Sequence, residues 1–197
     1  MPRIPVETGW IEVICGSMFS GKTEELIRRV NRAVIARQRV QVFKPTMDDR
    51  WSKTEIGSHS GERLASLTIE RAEEILSKVD PKTEVVGIDE AQFFGMELVG
   101  VCETLANRGV RVIVAGLDQD YTGKPFEPIP SLLAVAEYID KMLAICVRCG
   151  NPANRSQRIH GGDSRVEIGA GDRYEARCRR CFDPKGADGQ EELFNKK

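Results

Sequence analysis

The eight residues from Gly16 to Thr23, GSMFSGKT, fill every fixed position of the pattern G-x-x-x-x-G-K-[ST]. They lie between an apolar run, IEVIC (Ile11 to Cys15), and a stretch in which Leu26, Val30 and Val34, flanked by Ile27 and Ile35, recur at helical spacing. A strand, a glycine-rich turn and a helix in that order form an anion cradle. Gly16 and Gly21 allow the backbone N–H groups of the intervening Ser17, Met18, Phe19 and Ser20 to curl around phosphate oxygens. Lys22 faces the β- and γ-phosphates, Thr23 offers a hydroxyl to Mg²⁺, and the helix directs its positive end at the anion. The ligand this implies is a nucleoside triphosphate carrying magnesium.

The same alternation continues along the chain. RVQVF (Arg39 to Phe43), TEVVGID, VRVIVAGLD (Val110 to Asp118) and KMLAICV (Lys141 to Val147) are expected strands. Met96 to Asn107, closed by Gly109, and Ser131 to Tyr138 are expected helices. Strands alternating with helices predict an α/β fold with a mainly parallel sheet, whose ligands bind beyond the carboxyl ends of the strands. Thr46 to Ser66 is polar and is expected to be a flexible hairpin or loop, and the tail after Phe182 to be poorly packed.

The charge balance, 29 basic against 30 acidic residues, gives no support for non-specific nucleic-acid binding. No run approaches the length needed to span a bilayer, and the start MPRIPVETGW lacks a secretory h-region, which predicts a cytoplasmic protein without a membrane partner. In that compartment the six cysteines are first read as thiols or metal ligands.

At the end of the third strand stands GIDEAQFFG. A protein with this phosphate loop commonly brings an acidic residue from another strand end to magnesium, a role that fits Asp89. Glu90 is then left to activate either an attacking water, as in an ATPase, or an acceptor hydroxyl, as in a small-molecule kinase. DEAQ also resembles a helicase box, but a helicase needs a second motor domain or a neighbouring subunit. Phe94 is expected in the core.

Cys146-x-x-Cys149 and Cys178-x-x-Cys181 are two knuckles suited to a closed tetrahedral S₄ site for structural Zn²⁺. Disulfides and an iron–sulfur cluster are the competing readings. The glycine-rich, polar stretch between the knuckles, held at both ends, is suited to fold over a ligand as a lid. Cys15 and Cys102 sit in apolar contexts and are expected in the core.

Taken together, GSMFSGKT, DEAQFF, GLDQDYTGKPF, CVRCGNPANRSQR and GAGDRYEARCRRCF resemble the cellular-type (type II) thymidine kinases, over nearly the whole span from Ile11 to Phe182. The resemblance implies a RecA-like P-loop domain over residues 1–145, a small zinc-ribbon-like domain with a lasso loop over 146–182, and a flexible tail over 183–197. It implies transfer of the ATP γ-phosphate to the 5′-hydroxyl of thymidine, a homotetramer, and feedback inhibition by dTTP. Glu90 matches the general base and Asp89 the magnesium-associated carboxylate, with Gln92 in the same motif. Asp48 and Arg50 match residues near magnesium and phosphate. Phe93, Leu117, Tyr121 and Phe126 match the thymidine pocket, and Ser156, Ile168, Gly169 and Tyr174 match lasso positions. Cys146, Cys149, Cys178 and Cys181 match the zinc ligands. Tyr121 stands where many members carry Phe, and Ser156 where Thr is more usual. His59 and His160 are expected in mobile loops. Two rival functions remain: a zinc-ribbon P-loop ATPase acting on nucleic acid, and a nucleotide-sensing module without turnover.

Overall fold

The computed structural model describes residues 8–47, 55–57, 63–160 and 173–184. The frame is a sheet of six parallel strands: β1 (Trp10–Gly16), β2 (Val40–Pro45), β5 (Leu67–Ile69), β6 (Val85–Ile88), β7 (Arg111–Gly116) and β8 (Tyr138–Met142). Their spatial order is β5-β2-β6-β7-β1-β8. Short antiparallel β3 (Glu55–Gly57) and β4 (Arg63–Ala65) precede β5, so part of the polar stretch after Thr46 is a hairpin.

Both faces of the sheet are covered at its centre, which is why β1, β6 and β7 are largely apolar. Side chains alternate across the pleat. Ile11, Val13 and Cys15 of β1, with Val112 and Val114 of β7, face α3 (Glu97–Asn107) and α4 (Ile129–Val135). Short α2 (Glu74–Lys78) joins that layer through Ile75. Ile14, Ile113 and Ala115 face α1 (Lys22–Ile35), which buries Leu26, Ile27, Val30 and Ala33. Phe94 is buried in the first layer, as expected.

Three expectations change in detail. Val34 and Ile35 are 52% and 80% exposed, because the buried stripe of α1 turns through Ala33 instead. The fifth strand is Tyr138–Met142, not Lys141 to Val147. As an edge strand with mostly exposed side chains it carries no apolar run, and the apolar letters at 143–147 belong to the next unit. α4 starts earlier than expected, at Ile129, and ends at Val135.

Beyond β8 lie two small antiparallel ribbons, β9 (Ala144–Ile145) with β10 (Pro152–Ala153), and β11 (Arg155–Arg158) with β12 (Tyr174–Arg177). Their core is Ala144, Cys146, Ala153, Ala176 and Cys178, with Cys181 at its margin. So few small side chains bury little apolar area, and a unit of this kind ordinarily needs a staple.

The far end of β1 is tied electrostatically. Glu12 is buried and accepts hydrogen bonds from Trp10 Nε1 (2.7 Å), Arg29 Nη1 (2.7 Å) and Arg111 Nε (2.6 Å). Burial opposes its charge, but these three donors hold its carboxyl below the usual range. Glu25, paired with Arg28 and Arg29, is lowered to about 2. A depressed carboxylate stabilises the fold above its unfolded value and loses that contribution as pH falls through its folded value. Stability should therefore decline from about pH 4.5 towards pH 2. Glu12→Gln should cost about 3 kcal/mol at neutral pH, since Arg111 loses its carboxylate and Arg29 keeps only Glu25 and Asp140. It should also flatten the acid slope, which denaturant unfolding at a series of pH values would measure.

Candidate functional site

The glycine-rich turn folds as its pattern requires. Gly16 ends β1 at φ +148°, and a Cβ there would collide with the carbonyl oxygen of Met142 in β8. Gly21 precedes α1 in the left-handed region, φ +84°. Ser20 Oγ and Lys22 Nζ both donate to the Ser17 carbonyl, at 2.8 and 2.7 Å, which draws the loop into a closed cradle. Thr23, in the first turn of α1, donates its hydroxyl to the Asp89 carboxylate at 3.2–3.3 Å.

Asp89 is 4% exposed and follows β6, held by a backbone N–H bond to the Phe43 carbonyl. At Glu90 the chain flips into the left-handed region, φ +50°, and then enters a 3₁₀ turn over Ala91–Phe93. For a non-glycine residue this conformation is strained, and such strain concentrates where a side chain must be aimed. Its effect is to part the two neighbouring carboxylates. Asp89 meets Thr23, while Glu90 accepts a hydrogen bond from Gln92 Nε2. The other end of the buried Gln92 amide accepts the Leu117 N–H at 2.9 Å. Gly116 makes room for this bridge, since a Cβ there would come within 3.0 Å of Gln92 Oε1. The carboxyl ends of β6 and β7 are thus locked together by one side chain.

The loop after β7 is organised by buried acids. Asp120 Oδ1 accepts from the Thr122 and Lys124 N–H groups and the Thr122 hydroxyl, forming a tight turn that carries half-buried Tyr121. Phe126 N–H returns to the Asp118 carbonyl at 3.1 Å. The Asp118 carboxylate pairs with Lys141 Nζ at 2.6 Å. Burial, aided by Asp118, pushes the Cys15 thiol up to about 11, and burial pushes Cys102 up to about 12, so both remain neutral core thiols.

The ribbons close on this edge. Ser156 Oγ accepts the Met18 N–H at 3.0 Å, and Ser17 Oγ reaches the Ala153 carbonyl at 3.4 Å. The phosphate loop is therefore stitched to the second unit. Arg155 donates to Gln119, and the buried Arg158 lies against Tyr121 and Tyr174.

The Sγ atoms of Cys146, Cys149, Cys178 and Cys181 all lie within 4.8 Å of one another, and the Cys149–Cys178 separation is 3.5 Å. That spacing is too long for a disulfide and close to the ~3.8 Å edge of a tetrahedron with metal–sulfur bonds of about 2.3 Å. Cys146 and Cys178 carbonyls accept N–H bonds from Gly150 and from Cys181 and Phe182, so both knuckles are formed turns. The donor set fits a closed S₄ metal site.

The sequence-derived residues therefore converge in part. The phosphate loop meets Asp89 through Thr23, Glu90 meets Gln92, which in turn holds Leu117, and Ser156 touches the phosphate loop itself. Phe93, Leu117, Tyr121 and Phe126 are half-buried, and Tyr174 is buried. Asp48, Arg50, His59, Ile168 and Gly169 lie outside the described residues. His160 is exposed. Arg158, Asp118 and Asp120 were missed. Arg158 was discoverable from the strand period, which puts it on the same ribbon face as Ser156.

The profile of the family described as thymidine kinase matches residues 9–182. A thymidine kinase of Rhodothermus sp. (strain ITI 518) is 64% identical over 176 residues, covering 89% of this chain and 82% of that protein. A thymidine kinase of Bdellovibrio bacteriovorus is 56% identical over 177 residues, covering 90% of this chain and 87% of that protein. Among solved structures, the Legionella pneumophila ATPase DotB is similar at a TM-score of 0.44 and 12% identity, over 76% of this chain and 44% of that chain, a likeness too slight to carry an argument.

Proposed function

The chain belongs to the thymidine kinase family, and from that premise we propose that it transfers the γ-phosphate of ATP to the 5′-hydroxyl of thymidine. The observation that carries the chemistry is the divergence of two adjacent carboxylates, Asp89 towards the phosphate-loop threonine and Glu90 away from it. Glu90 accepts the proton of the acceptor hydroxyl as the phosphoryl group transfers in line. Lys22, supported by Arg50, offsets charge on the transferred group. Thr23 and Asp89, with Asp48, would hold Mg²⁺, which when bound would supply positive charge to offset that of the phosphates.

Phe93, Leu117, Tyr121 and Phe126 form the nucleoside side of this reading, with Ser156, Ile168, Gly169 and Tyr174 closing over the base. Support comes from the half-buried rings beside the sheet edge and from the ribbon seated on the phosphate loop. A closed site excludes water and suppresses idle ATP hydrolysis. We read residues 1–145 as the ATP-binding domain, 146–182 as the metal-bound lasso domain with Zn²⁺, and 183–197 as the tail.

Three finer points belong to the same proposal. Feedback inhibition by dTTP follows because one molecule would place a thymidine group and a triphosphate in the two halves of the site. A homotetramer is supported by β8, which is an edge strand among the described residues, and by Tyr138, Ile139, Val34 and Ile35, each half or more exposed. A cytoplasmic location is supported by a tetrathiolate that needs reduced cysteines. No helix among the described residues is long and apolar enough to cross a membrane. Nucleic acid is not a partner in this reading, in keeping with a net charge of −1.

Gln92→Leu should lower kcat roughly tenfold to a hundredfold, because Glu90 loses the Gln92 amide that orients it and a small misplacement at the reacting atoms is costly. The KM for ATP should hardly change, which steady-state kinetics would separate. The function itself is tested by following ADP formation with each deoxynucleoside in turn. Strong stimulation by thymidine is expected, and ATP consumption indifferent to every nucleoside would refute the proposal.

A further inference from the structure

We propose that Arg158 is a positioning residue for the acceptor nucleoside, clamping the two tyrosines that flank its pocket; the inference rests on the reading of Tyr121 and Tyr174 given above. Arginine at the end of a two-residue-period ribbon would ordinarily extend into water. Here it is 4% exposed. Its guanidinium carbon lies 3.6 Å from the centroid of the Tyr121 ring, a stacking contact, and 5.4 Å from the Tyr174 ring. Its Nε and Nη2 both donate to the Tyr174 hydroxyl, at 3.2 and 2.9 Å.

One planar cation thus binds two elements remote in sequence. Tyr121 rides on the loop after β7, and Tyr174 opens β12, directly across the ladder from Arg158. Ser156, two residues earlier on the same face of β11, holds the phosphate loop at Met18. The ribbon is therefore fixed at one point to the donor half of the site and at the next to the acceptor half. Arginine is suited to this in a way lysine is not, because only a flat fork can stack on one ring while offering two donors to another side chain. The clamp orders the pocket walls before the nucleoside arrives, so its loss should appear in acceptor binding and leave the donor side alone.

Arg158→Met and Arg158→Lys should be compared with the wild type for both KM values, kcat and zinc content. The expected result is a thymidine KM raised roughly tenfold or more in Arg158→Met and partly recovered in Arg158→Lys, a charge without the fork. The KM for ATP should stay within about twofold, and the metal should remain bound. If Arg158→Met does not fold, Arg158→Lys carries the test, read in a cycle with Tyr174→Phe. A positioning role through the hydroxyl makes the double variant little worse than the worse single one. Fully additive effects, an unchanged thymidine KM, or parallel losses on thymidine and ATP would overturn the inference. A wild type that shows no saturation by thymidine would overturn the functional reading and this inference with it. A saturable wild type with unaffected Arg158 variants removes the clamp alone.

Discussion

Glu90→Gln is expected to cut turnover about a thousandfold, within the range that a positioned general base contributes. The amide keeps the size of the side chain and its hydrogen bond to Gln92, but it cannot take a proton at neutral pH. ATP binding should persist, because the cradle of Gly16 to Thr23 and the Thr23–Asp89 contact lie on the other branch of the divergent pair. The KM for ATP should stay within about threefold and the loss should fall on kcat, the signature of an interaction made only in the transition state. Single-turnover measurements would read this directly. Near-normal turnover would remove Glu90 from the role.

The second large effect concerns the four thiols. Elemental analysis should find one zinc per chain, and Cys178→Ser should lose it. The ribbon unit has a core of alanines and cysteines, so metal binding, worth about 10–16 kcal/mol in small zinc units, supplies most of what holds it. Its collapse would withdraw Ser156 from the phosphate loop and Arg158 from Tyr121. Thymidine phosphorylation should then fall at least a hundredfold, and the unfolding enthalpy should lose the share contributed by the ribbons. Full activity and an unaltered melting curve in the metal-free variant would mean that the site is dispensable.

Much of this was legible in the sequence because the informative features are local. The phosphate loop fixes its own geometry through two glycines, and each CxxC spacing brings a pair of thiols together whichever way the intervening chain runs. The parallel sheet followed from apolar runs buried on both faces. β8 escaped because an exposed edge strand carries no such run, and α1 was misjudged at its end because Ala33, a small residue, completes the buried stripe in place of Val34. At the site, the letters Asp89 and Glu90 suggested two roles. The left-handed turn that parts them, and the Gln92 bridge to Leu117, depend on contacts between strands that no single stretch contains. The strand period could place Arg158 beside Ser156 on the ribbon, but not against Tyr121, which is distant along the chain.

The most direct measurement follows the fate of the γ-phosphate. With γ-labelled ATP, magnesium and thymidine, the label should appear in dTMP, with little free phosphate and no response to added DNA or RNA. Label released mainly as free phosphate, stimulated by nucleic acid and unaffected by thymidine, would contradict the account and point to a nucleic-acid-dependent ATPase.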